Sequence, residues 1–170
     1  NLVIDAPTLH FLMGKGFRVD SSLSSHKGAP PVPQFHGGPK GLVSIPVTAE
    51  PSPSLSRKGP VPYFRYRVCD MKNLKEMKNN ELCSYVLRIA AFQEALGFPP
   101  HLVILSHSWE FMNPLIDCQD YSYCSPENLR FLQNLFQVFS RSFDVKLLPL
   151  GTLARHFRER ETFPSSKLEG

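Results

Sequence analysis

The chain has 170 residues, of which 42% are hydrophobic, and its 13 phenylalanines supply apolar bulk for one domain with a real core. The net charge is +4, and the densest basic stretch, residues 155–160, also contains Glu159, which argues against nucleic-acid binding. No apolar run approaches the ~20 residues that a membrane-spanning helix needs, so the sequence predicts no membrane span.

The N-terminal residues predict a helix followed by a short strand. We expect residues 5–16 to be helical because Asp5 is a good N-cap, Pro7 suits the first turn and a glycine ends the segment. Residues 17–20 then alternate apolar and polar side chains, which is typical of a strand.

A proline-rich insertion is predicted over residues 23–68, which hold nine of the 16 prolines. Proline interrupts helices and removes a ladder hydrogen bond, so most of this stretch is expected to be long surface loop. Two segments inside it, residues 42–47 and residues 64–68, have the composition of strands. Tyr63 is an alternative first residue for the second strand.

Regular patterns return after the insertion. Apolar residues at three- and four-residue steps predict a helix over residues 80–97, with Asn80 as its cap and Gly97 at its end. Residues 102–105 form an unbroken apolar run of strand length, which is typical of a strand buried on both faces.

The last third of the chain continues the alternation of helix and strand. Residues 125–127 begin another helix, residues 145–148 predict a short strand, and residues 151–160 predict a final helix. This order predicts an α/β fold with a parallel sheet. We expect a single domain over residues 1–163 and a disordered tail over residues 164–170.

His107 is the residue whose position points to chemistry. It directly follows the apolar run 102–105, and parallel sheets place ligand-contacting groups at that end of a strand. The motifs of nucleotide-binding loops, serine hydrolases and zinc proteases (GxGxxG, GxxxxGK[ST], GxSxG and HExxH) do not occur. A histidine that only caps a strand end is the alternative, and position alone does not separate the two.

A second histidine lies in the proline-rich stretch. His36 belongs to residues 34–38, which we expect to form a flexible loop that could reach a substrate. The alternative is an ordinary surface histidine.

The cysteines favour reduced thiols. No two of them form a CxxC pair, so the usual zinc-ribbon spacing does not occur. They are Cys69, Cys83, Cys118 and Cys124. A Cys118–Cys124 disulfide in a secreted protein is the alternative to reduced thiols in the cytoplasm.

Several segments, in this order along the chain, resemble the polysaccharide deacetylases of carbohydrate esterase family four. Residues 12–22 are similar to the family's helix, glycine turn and strand, and residues 41–47 are similar to a strand ending in Ile-Pro-Val of its bacterial members. Residues 102–111, followed by 125–129 and 145–152, resemble the end of these deacetylases, whose last active-site motif is a strand ending in Leu-x-His, matched here by residues 105–107. The resemblance implies a distorted (β/α) barrel, of which this chain would form the later part.

The resemblance also implies roles for individual residues in hydrolysis of N-acetyl groups on sugars, a reaction at a C–N bond that uses a divalent metal such as zinc. His107 would be the general acid that protonates the departing amine, and Asp20 would orient it. Leu105 would line the pocket for the acetyl methyl group, and Trp109 would stack on a sugar face. The alternatives are an Asx turn for Asp20 and core packing for Trp109.

The family's metal ligands come from a Thr-Phe-Asp-Asp strand and a His-x-x-x-His motif, neither of which occurs in this sequence. We therefore expect the chain to be a C-terminal portion of a deacetylase that binds no metal by itself and is inactive alone. The alternative is a non-catalytic saccharide-binding or interaction module on the same fold. An enzyme that uses His107 with a cysteine is a third reading.

Both main readings give the same partner, an N-acetylated polysaccharide or glycan such as a cell-surface polysaccharide. A partial barrel would also expose an unpaired sheet edge, through which copies of the chain could associate. Many members of the family are exported, so the location of the protein stays open between the cytoplasm and the exterior.

Overall fold

The computed structural model describes residues 5–22, 32–38, 41–51, 54–56, 63–111 and 126–161, with the backbone alone at 54–56, 63–65, 108–109 and 161. Five helices are present in this part of the chain: α1 (Ala6–Gly14), α2 (Met71–Lys75), α3 (Asn79–Ala95), α4 (Pro126–Ser142) and α5 (Leu150–Glu161). The strands are β1 (Val19–Asp20), β2 (Gln34–His36), β3 (Leu42–Ser44), β4 (Ser54–Ser56) and β5 (Tyr63–Arg65), and a 3₁₀ helix covers Ser108–Phe111.

Three of the strands form a mixed sheet in the order β1-β3-β2. Strand β1 runs parallel to β3, with Asp20 opposite Ser44. Strand β2 runs antiparallel to β3, so that Phe35 lies opposite Val43. Strands β4 and β5 pair with each other as a separate antiparallel ladder.

The two faces of the three-stranded sheet differ in polarity because side chains alternate along each strand. Apolar side chains at the middle of the sheet pack with Ala154 and Phe157 of α5; they are Val19, Phe35 and Val43. The opposite face carries the polar side chains of the same strands, which are Asp20, Gln34, His36 and Ser44. Short alternating segments therefore give the sheet both its contact with α5 and a polar face.

The helices form the larger part of the described core. Helix α3 contributes Leu82, Tyr85 and Ile89, whose spacing places them on one helical face, and helix α4 contributes Leu135 and Phe139. These side chains pack with residues of α2 and with Cys69. No helix in the described part of the chain is long and apolar enough to cross a membrane.

Three distant segments meet at Thr48, which is buried. Its backbone N–H donates to the Val103 carbonyl at 3.1 Å, and its hydroxyl accepts from the Val103 N–H at 2.8 Å. Its carbonyl accepts from the Cys69 N–H at 2.7 Å, and the Cys69 carbonyl accepts from the Leu105 N–H at 2.8 Å. These hydrogen bonds fix residues 103–105 against the core and thereby set the point at which residue 106 leaves it.

The helical predictions are confirmed, including the Asp5 cap, whose carboxylate accepts from the Thr8 N–H at 2.8 Å. Helix α3 begins at Asn79 with Lys78 as its N-cap, so the prediction of Asn80 as the cap is wrong. The short helix α2 and the strands β2 and β4 were not predicted. Strands β3 and β5 lie at the two segments of the proline-rich stretch that were predicted as strands, and β3 is the central strand of the sheet.

The prediction of a parallel sheet from a distorted barrel is wrong. The described residues form a small mixed α/β domain with a three-stranded mixed sheet, and no barrel is present among them. Residues 102–105 make a single bridge, from Leu105 to Asp70, and residues 145–148 form no strand. A short, mainly apolar segment does not distinguish a strand from a segment without regular strand pairing, which is the physical reason for the error. The predicted tail, residues 164–170, lies outside the described residues.

The core assignment predicts a large difference between two leucines. Leu74 in α2 has no exposed surface, whereas Leu87 in α3 is 57% exposed. We expect Leu74→Ala to lower the free energy of unfolding by about 2–5 kcal/mol, because it removes buried methyl groups and leaves a cavity. The same change at Leu87 should stay within about 0.5 kcal/mol. Urea unfolding followed by circular dichroism measures both, and equal losses would contradict the assignment.

Candidate functional site

Asp20, a predicted site residue, lies at the end of β1 with only 9% of its surface exposed. Its Oδ1 accepts from the backbone N–H of Ser22 at 3.1 Å and from the Ser22 hydroxyl at 2.6 Å. Its Oδ2 accepts from the Ser44 hydroxyl of the neighbouring strand at 3.4 Å. The Asx turn that the sequence offered as the alternative for Asp20 is therefore formed.

His36 lies on the same face of the sheet, in β2 rather than in a loop. Its Nε2 is 3.1 Å from the Ser44 hydroxyl oxygen. A carboxylate only accepts, so when the single Ser44 proton is donated to Asp20, the imidazole donates Nε2–H to Ser44. We refer to these three residues as the His36–Ser44–Asp20 chain. In this arrangement Nδ1 is the nitrogen with a lone pair, and it has no hydrogen-bond partner among the described residues.

Glycines make the approach of β2 to β3 possible. Gly37 and Gly38 have positive φ angles of 74° and 71°, which only glycine adopts without strain. A Cβ atom on Gly41 would lie 1.6 Å from the His36 carbonyl oxygen, so no other residue fits there. Arg158 of α5 donates to the Gly41 carbonyl at 2.7 Å. The backbone next to His36 is therefore constrained by the glycines at 37, 38 and 41 and by the hydrogen bond from Arg158.

His107, the predicted general acid, is half-buried and leads into the 3₁₀ helix Ser108–Phe111. Its backbone N–H donates to Oε2 of Glu110 at 2.7 Å, and the Glu110 N–H donates back to the His107 carbonyl at 3.0 Å. These reciprocal hydrogen bonds have the geometry of a helix cap and fix the backbone of His107.

Of the two residues predicted to contact substrate, Leu105 and Trp109, the structure describes the side chain of Leu105 only. Leu105 is half-buried and packs with Val47, Ala49 and Val68. The side chain of Trp109 lies outside the described residues, as do residues 118–124 with the disulfide considered for them. The roles of Leu105 and Trp109 toward a sugar stay predictions.

Asp20 and His107 were predicted to act together. The described hydrogen bonds of Asp20 lead to Ser22 and, through Ser44, to His36. The described hydrogen bonds therefore connect Asp20 to a different histidine from the one predicted, and its role toward His107 stays a prediction. The signals for His36 in the sequence are the alternation of polar and apolar residues in Gln34–His36 and the glycines that follow.

The described residues do not fit the metal that the resemblance implies. No group of three His, Cys, Asp or Glu side chains in this part of the chain could hold a metal ion. Both oxygens of Asp20 accept hydrogen bonds from serines, and the His36–Ser44–Asp20 chain contains a single histidine. The metal site of the family needs an Asp and two His. The expectation that the chain alone binds no metal stays a prediction.

The two cysteines in the described part of the chain are free. Burial raises the pKa of the Cys69 thiol to about 12, so at neutral pH it is protonated and a poor nucleophile. Burial also raises the pKa of the adjacent Tyr85 phenol, which donates to the Arg67 carbonyl at 3.2 Å. Cys83 is half-buried and lies 3.5 Å from the Ser142 hydroxyl. The reading in which a cysteine works with His107 gains no support from Cys69.

A half-open cavity of about 350 Å³ lies between α3, residues 100–104 and the end of α4. A buried amide and an imidazole, Gln93 and His101, line one part of it. Gln93 accepts from the His101 backbone N–H at 2.8 Å and donates to the His101 carbonyl at 3.1 Å. Burial lowers the pKa of His101, while a hydrogen bond from Nδ1 to the Pro99 carbonyl at 2.9 Å opposes that shift. His101 is therefore neutral at physiological pH.

Comparisons with known proteins give no relative for this chain. No protein-family model matches it, and neither the curated proteins nor the solved structures contain a significant match.

His101 should make the stability of the protein depend on pH. Because burial lowers its pKa in the folded state, the unfolded chain binds a proton at about pH 6.5 before the folded chain does. The contribution of neutral His101 is therefore complete above about pH 6.5 and is lost as the pH falls below that value. Urea unfolding between about pH 5 and 7.5 should show this decline, which His101→Gln should reduce. The same change at exposed His10 is the control, and an equal effect there would contradict the assignment.

Proposed function

We propose that this chain binds N-acetylated saccharides and that His36 provides one of the polar contacts. The observation that carries the proposal is the His36–Ser44–Asp20 chain, in which a buried carboxylate fixes the orientation of a half-buried imidazole through a hydroxyl. An imidazole held by its Nε2–H keeps Nδ1 as a hydrogen-bond acceptor. Sugar hydroxyls and the acetamido N–H are donors of the matching kind.

The sugar class comes from the resemblance of several segments to polysaccharide deacetylases, and one of them, residues 12–22, includes Asp20. Few, well-placed polar groups fix the orientation of a ligand in a binding site. The imidazole of His36 is such a group, since it is half-buried and its Nε2 is hydrogen-bonded to Ser44. Binding through His36 requires neither a barrel nor a metal, so it is independent of the parts of the resemblance that the described residues do not fit.

N-deacetylation by a longer protein is the second candidate function. It is favoured by the reciprocal hydrogen bonds with Glu110 that fix the backbone of His107. A general acid contributes to rate only if it is held within hydrogen-bond reach of the departing group, and a fixed backbone helps to meet this condition. In this proposal His107 would protonate the departing amine, as the resemblance implies.

Binding can be tested with two matched oligosaccharides. We expect the tetramer of N-acetylglucosamine to cause saturable NMR shifts at the His36 ring, and the tetramer of glucose, which lacks acetamido groups, to bind more weakly. His36→Ala should weaken binding about tenfold, as expected for loss of one hydrogen bond. Ser44→Ala should weaken it less, because it frees the ring without removing it. Unchanged affinity in His36→Ala would refute the contact, and His10→Ala is the matched control.

Catalysis is tested separately by acetate release from N-acetylglucosamine oligomers. We expect none from this chain alone. Release that is lost in His107→Ala but kept in His36→Ala would show that the chain is itself a deacetylase and that His107 is its acid. Release that survives both substitutions would remove both histidines from the reaction.

A further inference from the structure

We propose that the cavity between α3, residues 100–104 and the end of α4 is a second binding site, for a small, uncharged and apolar molecule. This site is independent of the proposed saccharide contact, because it shares no residue with the His36–Ser44–Asp20 chain. We call it the α3–α4 cavity.

The walls of the α3–α4 cavity are apolar. Its volume of about 350 Å³ falls within the range of ligand sites, roughly 300–1,000 Å³. Helix α4 and the residue after it contribute three phenylalanines, and the segment after Pro100 contributes two aliphatic side chains; these are Phe136, Phe139, Phe143, Leu102 and Ile104. Such walls favour a ligand that replaces water with apolar surface.

The polar groups in the cavity already have partners. The Gln93 amide exchanges two hydrogen bonds with the His101 backbone, and the His101 ring donates to the Pro99 carbonyl. The Gln93 side-chain nitrogen also lies 3.4 Å from the second ring nitrogen of His101. A polar ligand group at this position would have to displace one of these bonds and leave a buried group unpaired. The lining therefore favours a ligand without a polar head at that end.

The charges of the rim do not select an ion. Asp144 and Lys146 both line the cavity, both are exposed, and they carry opposite charges. A bound anion would meet the carboxylate as well as the ammonium group, and a cation would meet the same opposition. The pair therefore favours an uncharged molecule.

The lips of the cavity expose large apolar side chains to water. Leu147 is 74% exposed, and Leu87 and Val145 are about half exposed. Contiguous exposed apolar surface marks a site of interaction in soluble proteins. An apolar ligand seated between these lips would remove part of that surface from water.

Two dyes with the same ring system give a direct test. N-phenyl-1-naphthylamine is uncharged, and 1-anilinonaphthalene-8-sulfonate is the same skeleton with a sulfonate. We expect saturable one-to-one fluorescence enhancement with the uncharged dye and at least tenfold weaker binding of the sulfonate. In the unmodified chain, nuclear Overhauser effects should join the uncharged dye to the methyl groups of Leu102 and Ile104.

A pair of neighbouring substitutions separates filling of the cavity from other effects. Ala90 lines the cavity, whereas the next residue, Ala91, is on the exposed side of α3. We expect Ala90→Phe to weaken binding of the uncharged dye at least tenfold and Ala91→Phe to leave it unchanged. If Ala90→Phe does not fold, the methyl contacts in the unmodified chain decide the question.

Three results would overturn the proposal. The first is the lack of saturable binding of the uncharged dye, and the second is equal affinity for the sulfonated dye. The third is a dimer, seen by analytical ultracentrifugation, that excludes the uncharged dye and dissociates in Ala90→Phe. That result would mean that a second copy of the chain covers the cavity.

Discussion

The described structure depends on the hydrogen bonds of Thr48. This one residue uses its backbone N–H, its hydroxyl and its carbonyl to join three segments that are far apart in sequence. The hydroxyl and N–H hold Val103, and the carbonyl holds Cys69 at the start of the helical core. Because Thr48 is buried, each of these groups would be left unsatisfied without its partner. The position of residues 102–105, of His107 and of one wall of the α3–α4 cavity follows from these bonds.

Alternation along short strands explains the second half of the architecture. The same three strands send apolar side chains toward Phe157 and polar side chains to the opposite face. On that polar face, the parallel pairing of β1 with β3 places Asp20 opposite Ser44, and the antiparallel turn brings in His36. The His36–Ser44–Asp20 chain is thus a consequence of register. A shift of β2 by one residue would turn His36 toward the apolar face and end the chain.

How much of this could be predicted from the sequence depends on the range of the interactions involved. Helices α1, α3, α4 and α5 follow from local signals, namely caps, apolar spacing and glycines, and these were predicted. The sheet depends on pairing between distant segments. The sequence predicted strands over residues 17–20 and 42–47, which contain β1 and β3, but it predicted neither β2 nor the mixed pairing, because no local pattern encodes them. Residues 102–105 are all apolar and residues 145–148 are apolar except for Lys146, yet the first segment is held by Thr48 and the second is largely exposed. What separates the two segments is a hydrogen-bonding partner elsewhere in the sequence, which the residues of the segments themselves do not reveal.

The candidate sites also depend on contacts between distant segments, which the sequence alone does not reveal. These contacts determine which histidines have a ring nitrogen that could bind a ligand. His36 and His101 are both held through a ring N–H, one by Ser44 and the other by the Pro99 carbonyl. At His101, the second ring nitrogen faces the Gln93 amide and burial lowers the pKa, so the ring serves as a neutral structural group. At His36, the neighbours fix one nitrogen and leave the other as an acceptor among the described residues. The sequence offered His36 as a loop residue that could reach a substrate and gave His101 no role. It could not separate the two rings, because what separates a structural histidine from a binding one is whether its second nitrogen is already occupied.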